Sequence, residues 1–290
     1  MTASELQRNK LLKNIKLIVT DIDGTLLNDN GELGFESKKL VKELMKSNVM
    51  ISLATGRLHS AVKEIANELN LNGYIISVDG ALIKNYVDDN TLFESYLSRG
   101  QVRKAIALSE QNLVNIVLCH ASAIYYTDYN SVIPSLLSKY GASYTQVESY
   151  KDYISGTLEI VCSSDMKTSI KQIEEKFNFP YSLGCETSYF RSKRNENIFY
   201  LEIRKAGSSK GKAITRIQKH LSIKPIQTAV IGDWYNDITM FHTKAIKVAV
   251  ANAIPELLNI SDIVTAKSNR EDGIAEFFEM ILKSKRDKNG

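Results

Sequence analysis

Short, wholly apolar runs recur near both ends of the chain, and each breaks off at a polar cluster. Leu17-Ile18-Val19 runs into Asp21-Ile22-Asp23-Gly24-Thr25, Val49-Met50-Ile51-Ser52-Leu53-Ala54 runs into Thr55-Gly56-Arg57, and Tyr74-Ile75-Ile76-Ser77-Val78 runs into Asp79-Gly80. Runs this short, rich in β-branched residues and closed by turn formers, predict buried strands. Between them the apolar spacing turns helical, with Leu40, Val41, Leu44 and Met45 on one face over 36–47. Val62, Ile65, Ala66 and Leu69 form a second stripe. Strand and helix thus alternate over the first 80 residues. That pattern predicts an α/β fold: a doubly wound, Rossmann-like parallel sheet covered on both faces. It resumes late, with a helix over 209–221, a strand over 226–231, helix, strand and helix over 234–242, 246–250 and 255–260, and a last helix near 273–283.

The middle of the chain reads differently. From about 82 to 204, two long helical segments, 99–112 and 165–177, alternate with strand-like stretches at 115–120, 123–127, 157–163 and 199–203. These mix polar and apolar positions, as strands with one wet face do. The expectation is an α+β module, residues 83–204, inserted into a discontinuous core of residues 1–82 and 205–290.

Ligands of open parallel sheets bind beyond the carboxyl ends of the strands. Strand one delivers Asp21 and Asp23 there, strand two Thr55, and the late strand Asp233 with Asn236 and Asp237 close behind, while Lys210 starts the preceding helix. Like charges repel, so acidic groups gathered after buried strands make sense around a cation. An all-oxygen ligand set describes Mg²⁺. Asp21 and Asp23, two apart, both face such a site if the chain is near-extended. One carboxylate can then attack phosphorus while the other manages the proton, the acyl-phosphate strategy. Gly24 permits a tight departure of the backbone, and Thr25 offers a hydroxyl to hold the loop or a nearby carboxylate.

Four stretches stand in order: Asp21-Ile22-Asp23-Gly24-Thr25-Leu26, Ala54-Thr55-Gly56-Arg57, Ser209-Lys210-Gly211-Lys212-Ala213 and Gly232-Asp233-Trp234-Tyr235-Asn236-Asp237. In them the chain resembles the haloacid dehalogenase superfamily of phosphohydrolases, most closely its Cof-type branch. The tail, Val250-Ala251-Asn252-Ala253 and the run from Ser268 to Ala275, is similar as well. The resemblance implies that Asp21 is the nucleophile and a metal ligand. Asp23 would be general acid and then base, its carbonyl also on Mg²⁺, and Asp233 the second carboxylate ligand. Thr55, the Gly56 N–H, Lys210 and Asn236 would serve the phosphate, with Asp237 in a supporting role. The inserted module would be a C2-type cap. The activity implied is a Mg²⁺-dependent phosphatase acting on a small phosphomonoester, a sugar phosphate or phosphorylated cofactor, through an aspartyl-phosphate on Asp21. A phosphotransferase or mutase on the same scaffold, and a catalytically silent regulatory relative, are the alternatives.

Composition narrows the partners. A formal charge of +4 with basic and acidic residues interleaved argues against nucleic acid. The short basic exceptions, residues 283–288 and the pair Lys193 and Arg194, read as a solvated tail and a polar turn. The polar N-terminus lacks a secretory signal and no apolar run is long enough to span a bilayer, so a cytoplasmic protein without a membrane partner is expected. Cys119, Cys162 and Cys185 match no zinc or redox spacing and read as buried thiols. Oligomeric state leaves no readable signal. His59 reads as an ordinary or capping residue, and Trp234 and Tyr235 as packing against neighbours. Tyr125, Tyr126, Tyr189, Arg191, Lys193 and Arg194 form either a substrate rim or a solvated one. One departure stands out: many relatives carry Asn-Gly-Ala after the third strand, where this chain has Asp79-Gly80-Ala81. Asp79 either faces a cationic or hydroxyl-rich substrate or fixes the turn.

Overall fold

A computed structural model describes residues 3–130, 142–178, 180, 184–192 and 197–286. The chain divides into two compact units, one of residues 1–56, 63–92 and 209–290, the other of residues 57–62 and 93–208.

The first unit is built on an eight-stranded sheet. Its first strand, β1 (Leu17–Thr20), lies between β2 (Met50–Ala54) and β12 (Thr228–Gly232), parallel to both. Outward from β12 come β13 (Ile246–Ala249) and β14 (Ile263–Val264), again parallel. On the other side β3 (Tyr74–Ser77) joins β2 in parallel. The sheet then runs past residue 82, through β4 (Leu82–Asn85), antiparallel to β3, and β5 (Thr91–Glu94). Every residue of β1 and β12 is buried, which is why these strands are apolar throughout rather than alternating. The covering helices include α2 (Phe35–Lys46), α3 (His59–Leu69), α6 (Lys210–Leu221) and α9 (Ile274–Arg286). Helix α6 starts where the Lys212 N–H donates to the Ser209 hydroxyl at 3.2 Å, an N-cap that holds Lys210 in the first turn.

The helix expected over 234–242 is a tight turn, Tyr235–Asp237, followed by the single-turn α7 (Ile238–Phe241). The sequence reading also passed over α1 (Ala3–Lys13), whose residues show no apolar stripe.

The second unit is a six-stranded sheet with the order β10 (Cys185–Arg191), β11 (Phe199–Lys205), β9 (Glu159–Ser164), β6 (Asn115–Cys119), β7 (Ala123–Thr127), β8 (Ser143–Val147). Two helices, α4 (Arg99–Gln111) and α5 (Lys167–Phe177), share one core with it, in which Val102, Ile116, Ile160, Ile173 and Leu201 meet Phe177. The α/β core with an inserted α+β unit is therefore the fold. Cys119 and Cys162 are buried, and burial pushes the Cys162 thiol up to about 12; Cys185 is half-buried, less enclosed than the expectation for all three.

Candidate active site

The loop after β1 carries the first motif. Asp21 is 5% exposed, its backbone N–H pinned to the Ile231 carbonyl at 2.8 Å, so the neighbouring strand fixes where its carboxylate starts. Asp23 stands two residues on with its side chain exposed. Gly24 turns the chain at φ +84°, and a Cβ there would stand 2.5 Å from Asp233 Oδ2. Both conformation and space demand glycine. The Thr25 hydroxyl donates to Asp233 Oδ1 at 2.8 Å, the role suggested for it. Gly24→Ala is expected to lower unfolding free energy by about 1–3 kcal/mol through the strained φ and to displace Asp233. Thermal melts with and without Mg²⁺ check this: the variant should melt lower and gain less from the ion.

The loop after β12 closes on the same place. Gly232 has no room for a side chain, since a Cβ would meet Asp237 Oδ2 at 2.5 Å. That oxygen accepts the N–H groups of Asp233 at 3.0 Å and Trp234 at 3.1 Å, which ties the loop into its turn. The other oxygen of Asp237 accepts from Lys210 Nζ at 2.7 Å, and Lys210 also donates to Asp21 Oδ1 at 2.5 Å. Lys210 is fully buried, so this ion pair is shielded from water.

Oxygens of Asp21, Asp233 and Asp237 lie within 4.8 Å of one another. The expectation named Asp21 and Asp233 as carboxylate ligands, with Asp23 contributing its backbone carbonyl; the third carboxylate gathered beside the first two is that of Asp237. Both Asp237 oxygens are committed to Lys210 and the backbone, whereas the oxygen of Asp21 that Lys210 engages is Oδ1. A cation would therefore be held by Asp21 and Asp233, with Asp237 as the brace.

Charge gives the site its chemistry. Three carboxylates around one ammonium leave an excess of negative charge in a buried place. Burial first, and then Asp237, push the Asp21 carboxyl well above the usual carboxylate range, against the pull of Lys210. Burial alone would lower Lys210, but Asp21, Asp237 and Asp79 outweigh it and keep the ammonium charged. A divalent cation held by Asp21 and Asp233 would offset that excess and favour the ionised form of Asp21. The donor set fits such an ion.

The second and third strands bring the remaining groups. Thr55 is buried at the end of β2, its N–H on the Ile76 carbonyl at 2.9 Å and its own carbonyl accepting from Asp79 N–H at 3.0 Å. Gly56 follows, and the Asp79 carboxylate stands 3.5 Å from where its Cβ would be. Asn236 Nδ2 donates to Asp79 Oδ1 at 3.0 Å, and that oxygen lies 4.0 Å from Lys210 Nζ. Asp79 thus links the Thr55–Gly56 corner to Asn236 and Lys210. Two residues escaped the sequence reading. Asn252 Nδ2 donates to the Gly24 carbonyl at 2.8 Å, and Asn269 Nδ2 to the Leu27 carbonyl at 3.0 Å, bracing the first loop from the tail. Their stretches were noticed, but isolated asparagines give no sign of which carbonyls they reach.

Other candidates are accounted for locally. His59 is buried at the first residue of α3. Trp234 and Tyr235 are 38% and 53% exposed and contact each other edge-on at 5.2 Å, more open than the expected packing. In the second unit, Tyr125 contacts Tyr153 at 4.2 Å, and Lys171 Nζ sits 3.7 Å over the Tyr189 ring, both tyrosines packing on the apolar core. Arg191 lies 5.9 Å over Phe199, while Lys193 and Arg194 fall outside the described residues. No helix among the described residues is long and apolar enough to cross a membrane.

Known proteins resemble the chain over nearly its whole length. Residues 18–278 match the family model of the haloacid dehalogenase-like hydrolases. The chain is similar to the phosphatase YwpJ of Bacillus subtilis, 26% identical over 294 residues covering 92% of this chain and all of that one. The 5-amino-6-(5-phospho-D-ribitylamino)uracil phosphatase YwtE of the same organism is 26% identical over 290 residues, covering 92% of this chain and 98% of its own. A haloacid dehalogenase-like hydrolase from Bacteroides thetaiotaomicron shares the fold with a TM-score of 0.81 at 24% identity, covering 92% of this chain and 99% of that one. With four motifs brought to one sheet edge and the family model spanning nearly the whole chain, this protein belongs to the haloacid dehalogenase-like hydrolases and is a Cof-type phosphatase.

Proposed function

We propose that the protein hydrolyses a small phosphomonoester by transferring its phosphoryl group to Asp21 and then to water. The carrying observation is the fully buried Lys210, whose ammonium bridges Asp21 Oδ1 and Asp237 Oδ1 just beyond β1. In this reading Asp21 Oδ2 attacks phosphorus while the bond to the leaving oxygen breaks, and Asp23 gives that oxygen a proton. Asp23, exposed beside the buried Asp21, then takes a proton from water as the water oxygen attacks phosphorus. The Asp21 carboxylate is regenerated and inorganic phosphate leaves.

Mg²⁺ is the cation this acidic set suits, held by Asp21, Asp233 and the Asp23 carbonyl, and when bound it neutralises charge on the phosphoryl oxygens. Thr55, the Gly56 N–H, Lys210 and Asn236 hold those oxygens, and Asp237 keeps Lys210 aimed. Positioning and charge neutralisation are most of what phosphoryl transfer requires. The ester belongs to the sugar phosphates or phosphorylated cofactors, a class that contains the phosphoribityl compound in the name of the relative YwtE.

Removing divalent ions with a chelator is expected to lower hydrolysis of a generic aryl phosphate by about 100-fold or more, with recovery on adding Mg²⁺. Free phosphate is the readout, because a phosphotransferase or mutase would not release it into water. Full activity in the chelated protein would overturn the reading. A panel of phosphate esters then ranks the substrates.

A further inference from the structure

Asp79 sits at φ 47°, ψ 34°, a left-handed conformation that aspartate and asparagine both tolerate. Conformation therefore accounts for a short polar residue here but not for its charge. The carboxylate reaches beyond the turn: Oδ1 accepts from Asn236 Nδ2 at 3.0 Å, 157 positions along the chain. Both oxygens lie 3.5–3.6 Å from where a Cβ on Gly56 would stand, and Oδ1 is 4.0 Å from Lys210 Nζ. The side chain, 12% exposed, is thus enclosed among three of the groups assigned to the phosphoryl oxygens. An amide could accept the same bond from Asn236 and still offer an N–H to a phosphoryl oxygen, while an ionised carboxylate only accepts. It also adds a negative charge where a dianion has to bind.

We propose that Asp79 is a specificity-determining residue whose carboxylate holds the affinity of this corner for phosphate dianion low. The proposal rests on the phosphatase reading above. It makes inorganic phosphate a poor inhibitor and leaves a productive ester to draw its binding from the leaving group.

The test compares the wild-type protein, Asp79→Asn and Asp79→Gly in Mg²⁺ buffer. Asparagine keeps the acceptor for Asn236 and the backbone conformation; glycine suits the positive φ and removes the charge by another route. In Asp79→Asn, KM for an aryl phosphate and Ki for inorganic phosphate should both fall by about tenfold or more, with kcat within about threefold. A turn-forming role would not divide KM from kcat in this way. In Asp79→Gly the phosphate Ki should fall likewise. Calorimetric titration of inorganic phosphate into each protein gives the same comparison without turnover. Unchanged or weaker phosphate binding in both variants overturns the proposal. Failure of the parent reading looks different, because the wild-type protein itself would then release no phosphate from any ester.

Discussion

Asp21→Asn is expected to abolish turnover, with kcat falling by at least about 10⁴-fold, as loss of a covalent nucleophile does elsewhere. The fold gives no reason for this variant to misfold. The position is set by backbone: the Asp21 N–H reaches the Ile231 carbonyl at 2.8 Å, and the Thr20 hydroxyl donates to the Asp21 carbonyl at 2.8 Å. An amide oxygen can still accept from Lys210. What disappears is a carboxylate oxygen able to bond to phosphorus. The variant also removes from this buried cluster a carboxyl whose ionised form burial and Asp237 oppose. Its melting temperature in metal-free buffer should therefore rise above that of the wild type, and its gain on adding Mg²⁺ should shrink. A site tuned for reaction is commonly held at the expense of stability. Steady-state kinetics and paired melts decide the matter; near-normal turnover would remove Asp21 from the chemistry.

Lys210→Ala carries the second large effect, and it acts on stability as well as rate. The ammonium is fully buried between Asp21 Oδ1 and Asp237 Oδ1. Its loss leaves two carboxylates facing each other in a buried place. Removing one partner of a buried ion pair typically costs about 3–5 kcal/mol. Asp237 would also lose one of the contacts that hold the loop after β12, although its bonds to the N–H groups of Asp233 and Trp234 remain. Turnover is expected to fall by about 10³-fold, the size found when a preorganised charge or donor is taken from a transition state. Denaturant unfolding and kinetics together separate the two effects. Mg²⁺ should recover part of the lost stability, since an ion held by Asp21 and Asp233 would neutralise their charge, and little of the lost rate. A variant of wild-type rate would show that Lys210 is structural only.

These two residues illustrate how much of the site could be read before the fold was known. Asp21 and Lys210 are 189 residues apart, yet each stands at the end of an apolar run or the start of a capped helix, and such places are visible in sequence. The parallel strands were legible because both their faces are buried, which forces continuous apolar runs. The outer strands on one side were not. β5 is the edge and β4 lies next to it, and both mix polar with apolar residues, so no apolar run announces that the sheet continues past residue 82. Helix α1 went unnoticed for a related reason, its polar sequence lacking the periodic stripe on which such readings depend.

The alternation of strand and helix near both ends of the chain, the four motifs and the chemistry of carboxylates with a cation followed from the amino-acid sequence, because local patterning and residue type are one-dimensional properties. Which carboxylate faces which partner did not follow. Only the folded chain set Asp237 Oδ1 at 2.7 Å from Lys210 Nζ, turned the Asp79 carboxylate toward Gly56 and Asn236, and set Asn252 against the Gly24 carbonyl. Those pairings depend on side-chain directions and on distances of a few ångströms across segments far apart in the chain. Such distances are settled by packing, which no spacing along a sequence records.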